Sequence, residues 1–156
     1  MSDNFRLKEN EHKALVEGLT QLLVDTDSIY IKTRNYHQNV TGAVYRTFHK
    51  MFENQYAELT SAFDLIAERI RALGVPAPTS QVQFNNSKLR DEKQSPAKSQ
   101  DMIKDLLEDQ EMIIRRALCV FPLAEKARDR SARELMVLRI LAHEKTASTL
   151  RDLLIN

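Results

Sequence analysis

The sequence predicts an all-α fold: a four-helix bundle with one long crossover between its second and third helices. Three observations point there. Four stretches of the 156 residues carry apolar side chains at helical spacing. Gly and Pro are scarce, at 3 and 4, which disfavours a turn-rich β fold. Two of the three connections are short and one is long, the arrangement of a bundle with a single crossover.

The first helix is expected from about Glu11 to Val40, with Leu15, Leu19, Leu22 and Ile29 on one stripe and Gly42 as its C-terminal stop. Residues 1–10 precede it as a polar stretch, read as a mobile tail of a single domain spanning 1–156. The second helix is expected from Ala43 to Leu73. Val44, Phe48, Phe52, Leu59, Phe63, Ile66 and Ile70 share a face, Gly74 ends it, and Pro76 and Pro78 forbid continuation. Thr79 to Lys98 is polar and reads as the crossover, with a short helix near Val82–Leu89. The third helix runs from Ser99 to Leu123, its last turn tightened or bent by Pro122. The fourth runs from Asp129 to Leu154, and Ser131 with Glu134 matches a capping box at its start.

Composition excludes several classes. Hydrophobic residues make up 42% and charged residues 29%, which fits a packed domain and not a disordered chain. No apolar run approaches the roughly 20 residues that span a bilayer, so no membrane partner is expected. The N-terminus lacks the apolar core of a signal peptide, and the single Cys119 has no internal disulfide partner; both favour a cytoplasmic protein. Cys119 is expected as a small buried hydrophobe. The formal net charge of +1 demands no nucleic acid.

The chemistry lies on the second helix. At 100° per residue, His49, Glu53, Asp64 and Glu68 fall within one arc of about 100°, facing away from the apolar stripe. Imidazole with carboxylates suits iron, manganese or zinc. One helix cannot close all four on one ion. Glu53 and Asp64 are separated by roughly 16 Å of helix rise, whereas metal–ligand bonds are about 2 Å. The set is therefore two unrelated half-sites or two halves of a site completed by another chain. Antiparallel pairing with a second copy, about an axis near Glu58 and Leu59, brings His49 and Glu53 of one chain to Asp64 and Glu68 of the other. Ala57, Thr60 and Ser61 near that midpoint are small enough for close approach. The bland alternative is a solvated outer helix face. His37 adds a fifth ligand candidate, at a depth similar to His49 in an antiparallel hairpin, with an ordinary helix-end histidine as its alternative.

Lys32-Thr33-Arg34-Asn35-Tyr36-His37-Gln38-Asn39-Val40-Thr41-Gly42, followed by His49, Glu53 and Asp64-Leu65-Ile66-Ala67-Glu68-Arg69-Ile70, resembles the signature of the Dps family, the DNA-protection-during-starvation mini-ferritins of the ferritin-like superfamily. The likeness continues through Gly74-Val75-Pro76-Ala77-Pro78 and Phe121-Pro122-Leu123-Ala124-Glu125-Lys126 to His143-Glu144-Lys145-Thr146-Ala147. All five positions of His-x11-His-x3-Asp/Glu-x10-Asp-x3-Glu are filled. The resemblance implies a ferritin-like bundle assembling into a shell of twelve around ferric mineral. It implies ferroxidase sites at two-fold interfaces, each taking two irons, with His37, His49 and Glu53 from one subunit and Asp64 and Glu68 from its mate. Hydrogen peroxide is the oxidant it implies first, with dioxygen second and protection from oxidative damage as the outcome. It also implies iron entry through three-fold pores, matched here by Glu125, Asp129 and Glu134, among which Arg128, Arg130 and Arg133 are interleaved. Two positions depart from the family. Gln38 and Ser148 stand where tryptophan is usual, which puts radical handling and oxidant preference in doubt; Tyr36, Tyr45 and Tyr56 are the nearby aromatic substitutes, with packing as their ordinary role.

Three other readings compete. A di-iron site inside one subunit needs Glu-x-x-His on two helices, and only Glu9 with His12 matches. A DNA-coating, nucleoid-associated shell needs cationic tails, but Arg6, Lys8 and Lys13 are balanced by Asp3, Glu9 and Glu11. The third is a structural assembly with a vestigial or zinc-occupied site. His143 is expected to be a structural hydrogen-bonding residue.

Overall fold

The structure, a computed structural model, describes residues 2–43, 45–78 and 98–155. Four helices account for nearly all of them: α1 Ser2–Asn39, α2 Tyr45–Ala72, α3 Ser99–Lys126 and α4 Arg130–Ile155. There is no strand among the described residues. The short helix expected near Val82–Leu89 lies outside them.

The helix stops are those the punctuation dictates. Gly42 and Gly74 take left-handed backbone, φ +96° and +89°, which halts α1 and α2 in a conformation glycine adopts at no steric cost. The start of α1 differs: the helix reaches back to Ser2, through the stretch expected as a tail. No glycine, proline or strong cap at Glu11 interrupts its propagation. Pro122 sits inside α3, and the helix continues to Lys126. The hydrogen bond Pro122 cannot donate is the one to the carbonyl of Leu118, an exposed residue, where water can reach the freed acceptor.

Two apolar clusters fill the bundle. One, around Leu19, Leu22, Ile29, Ile66, Ile113 and Met136, lies toward the α3–α4 turn. The other, around Tyr36, Phe48, Phe52, Ile103, Leu106 and Leu150, lies toward the α1–α2 turn. Tyr36 near the end of α1 thus packs at the depth of Phe48 near the start of α2 and Ile103 near the start of α3. So α1 runs antiparallel to α2 and α3, and α2 and α3 run parallel, which is what a full-length crossover produces.

Between the clusters runs a polar belt that all four helices supply. Arg139 of α4 is buried and donates to both carboxylate oxygens of Glu58 on α2, with Nη2 at 3.2 Å from Oε2. It also donates to His143 Nε2 at 3.0 Å, while His143 Nδ1–H donates to Gln110 Oε1 of α3 at 2.7 Å. Lys32 of α1 faces Asp105 at 3.1 Å and Asp109 at 2.7 Å, and Tyr36 donates to Asp105. His143 thus has the structural role expected of it. Cys119 does not: it is exposed. It lies about 240° around α3 from Ile113, opposite the buried Ile113–Ala117–Val120 face.

Candidate metal centre

The α1–α2 turn builds the site. His37 lies in the last turn of α1, and α2, starting at Tyr45 soon after α1 ends at Asn39, folds back beside it. Val40 is buried and anchors the connection. The two imidazoles of His37 and His49 meet face to face, centroids 3.7 Å apart and planes 27° apart. The equal-depth argument from sequence is realised as ring contact.

The surroundings of the two rings differ, and each has a nitrogen that could hold a metal ion. His49 Nδ1 lies 3.0 Å from the carbonyl oxygen of His37. A carbonyl only accepts, so Nδ1 carries a proton, and Nε2 is the His49 nitrogen that could hold a metal. Near the C-terminus of α1 this carbonyl has no onward helical partner. His37 Nε2 is buried with no hydrogen-bond partner, an orphan that a metal ion would satisfy. Burial first, and the neighbouring His49 second, hold the His37 imidazole below its usual pKa, outweighing the upward pull of Glu53. At neutral pH it is therefore uncharged and its lone pair is available.

Glu53 follows one turn on, half-buried and 3.7 Å from Lys50. Asp64 and Glu68 lie further along the same side of α2, exposed, as are Ala57, Thr60 and Ser61 between them. The buried side of α2 is Phe48, Phe52, Leu59, Ala62, Ile66 and Ile70. Within one chain, no group of three or more His, Cys, Asp or Glu converges among the described residues. The structure thus joins His37 to His49 and keeps Asp64 and Glu68 at a distance along the helix.

Of the three tyrosines named near the site, Tyr45 and Tyr56 pack on its rings. Tyr45 stacks on His49 at 5.0 Å, and Tyr56 meets His37 edge-on at 5.2 Å, with Tyr30 beyond it at 6.1 Å. Tyr36 turns into the core instead, toward Phe52 and Asp105. His12, of the Glu9–His12 pair, is far from these residues and contacts the carbonyl of Leu73 at 2.9 Å.

At the α3–α4 turn, Glu125 and Glu134 are exposed, and Glu134 pairs with Arg130 at 3.1 Å. Asp129 is engaged. Its Oδ1 accepts from Ala132 N–H at 2.9 Å, and its Oδ2 accepts from Arg69 Nε at 3.0 Å and pairs with Nη2 at 2.9 Å. Asp129 is therefore the N-cap of α4, in place of the Ser131–Glu134 box expected there.

A family model of the ferritin-like domain matches residues 16–156, nearly the whole chain. The chain belongs to the ferritin-like family, in its Dps branch. A DNA protection during starvation protein 2 from Bacillus anthracis is 27% identical over 144 residues, covering 92% of this chain and 98% of the relative. A low temperature-induced protein from Nostoc is 30% identical over 113 residues, 72% of this chain; the match spans 63% of that relative, under two thirds of its length. Among solved structures, an antigen from Treponema pallidum is 26% identical with a TM-score of 0.88, covering 93% of this chain and 94% of the other. The ferritin-like bundle read from the sequence is the fold. No helix among the described residues is long and apolar enough to cross a membrane.

Proposed function

We propose that this chain oxidises Fe(II) at sites formed between two subunits and stores the ferric product inside a closed shell. The observation that carries the reading is the His37–His49 pair. Two imidazoles are in contact, one with its Nδ1–H tied to a backbone carbonyl and the other with a buried, unpartnered Nε2. They form half of a ligand set whose other half, Asp64 and Glu68, stands exposed on the same helix. A two-fold mate supplies that other half, so each interface holds two sites, and the set of His37, His49, Glu53, Asp64 and Glu68 takes two ferrous ions as substrate. Imidazoles accept Fe(II) without a charge penalty, and the three carboxylates favour the extra charge of Fe(III). Hydrogen peroxide, the oxidant assigned, takes two electrons from two irons and leaves no one-electron oxygen radical. The assembly is a dodecamer in the cytoplasm. Iron entering at the α3–α4 turn passes Glu125 and Glu134, since both oxygens of Asp129 are taken.

The test is anaerobic addition of Fe(II) to the assembled protein, then hydrogen peroxide, following ferric absorbance in the wild type and in His49→Ala. A fast rise that falls to the buffer rate in the variant supports the reading. Equal rates remove it, and a DNA-coating shell with an idle or zinc-filled site takes its place.

A further inference from the structure

The bundle has a concavity at the end opposite the histidines. It encloses about 630 Å³ between the first turns of α1, the end of α2 and the α3–α4 turn. That volume lies within the range of small-ligand sites. Leu15, Leu73 and Ala127 supply apolar lining. Lys8, His12, Lys126 and Arg128 supply cations or potential donors. Of the two acids there, Asp129 is neutralised by Arg69 and spent on capping α4, which leaves Glu11 against three permanent cations.

Arg128 is the residue that singles this concavity out. It is the only non-glycine residue with positive φ among the described residues, at 54°. The turn around it is a Schellman motif: Asp129 N–H bonds the Ala124 carbonyl at 3.0 Å, and Arg128 N–H bonds the Glu125 carbonyl at 3.0 Å. Glycine takes that position without cost, and a side chain kept there against the preference is a reason to look for a use. Here the use is on hand, because Arg128 lines both this concavity and the smaller one beside it with Arg130 and Arg133. His12 Nε2–H, donated to the Leu73 carbonyl, ties α1 to the end of α2 and fixes the wall between them.

We propose that this concavity binds an organic phosphate, its phosphate held by Arg128, Lys126 and Lys8 and its carbon part lying on Leu73 and Ala127. A guanidinium matches two phosphate oxygens at once, and a neighbouring pair of ammonium groups adds charge without a fixed geometry. The assignment does not depend on the iron reading.

Titration calorimetry on the assembled protein tests it, with AMP and inorganic phosphate as probes. The variants are Arg128→Gly, which relaxes the turn while removing the cation, Lys126→Gln, and Arg133→Gln as a control outside the concavity. The expected result is saturable AMP binding, weaker for inorganic phosphate. It weakens about ten-fold or more in Arg128→Gly, the loss of one charge-assisted pair, and less in Lys126→Gln, while Arg133→Gln binds as the wild type does. The thermal midpoint of Arg128→Gly is not lowered, so a loss of binding is not a loss of fold. No saturable AMP binding in the wild type would overturn the proposal, as would unchanged binding in Arg128→Gly, inorganic phosphate binding as tightly as AMP, or an equal loss in Arg133→Gln.

Discussion

Two buried titratable residues in the polar belt carry opposite costs. Burial, with a smaller contribution from Arg139, drives the His143 imidazole down to about 3. It stays neutral in the fold, donating to Gln110 and accepting from Arg139. The unfolded chain protonates it near the ordinary 6.5, so its contribution is present above that pH and is lost progressively as pH falls toward 3. Asp109 runs the other way. Burial outweighs its pairing with Lys32 and pushes its carboxyl from 3.8 up to about 6. Lys32, sharing two carboxylates, is held above its ordinary value despite its own burial. One cation serves two anions, and the second anion is the expensive one. The folded state of Asp109 binds its proton more tightly than the unfolded state, so stability falls as pH rises through the window from about 4 to about 6. Asp109→Asn removes that cost. The variant is expected to match the wild type near pH 4 and to exceed it by about 1–3 kcal/mol at pH 7.5, read from denaturant midpoints at fixed protein concentration. A variant less stable at both pH values would mean that the Lys32 pairing outweighs the desolvation.

Helix ends explain what the sequence reveals and what it conceals. Gly42, Gly74, Pro76 and Pro78 act through local backbone sterics, so the stops of α1 and α2 were legible. The meeting of His37 and His49 was legible for a related reason: a short connection between antiparallel helices fixes which residues share a depth. The cap of α4 was assigned to Ser131 because Ser131 fits the N-cap preference as well as Asp129 does. Asp129 takes the role because the Schellman turn places it directly after Arg128, with Arg69 of α2 arriving from 60 residues away to hold its second oxygen. No local rule contains that partner. The polar belt was hidden for the same reason. Glu58 meets Arg139 across 81 residues, and a glutamate on a helix reads as solvated until the opposing face is known. Cys119 was misplaced because a small apolar residue reads the same on either face of an amphipathic helix. The joint at Asp129 gives a graded expectation. Asp129→Ala loses the cap and strands Arg69, costing about 1–3 kcal/mol. Asp129→Asn keeps the cap oxygen and loses the charge, so its loss should be smaller. Equal losses for both variants would assign the joint to the ion pair and not to the cap.

At the scale of the whole molecule, one chain holds His49 and Glu53, with His37 of α1 beside them, at one end of α2, and Asp64 and Glu68 roughly three turns or more further on. That division predicts complementation between two dead variants. A chain carrying His49→Ala keeps a sound Asp64–Glu68 half, and a chain carrying Asp64→Asn with Glu68→Gln keeps a sound histidine half. Alone, each variant assembles with every site defective. In a mixed dimer, one of the two sites takes both defects and the other takes none, because an isologous interface pairs each half with its opposite on the mate. Denaturing the two variants together in equal amounts and reassembling them makes about half of the dimers mixed, each with one sound site of two. About a quarter of the wild-type peroxide-dependent ferric rate should therefore return. Mixing the variants after separate assembly should return less, since the two halves then meet only by subunit exchange. A site housed within one chain gives no rescue in either case. The size of the recovered rate, and not its mere presence, distinguishes a shared two-fold site from residual activity in either variant.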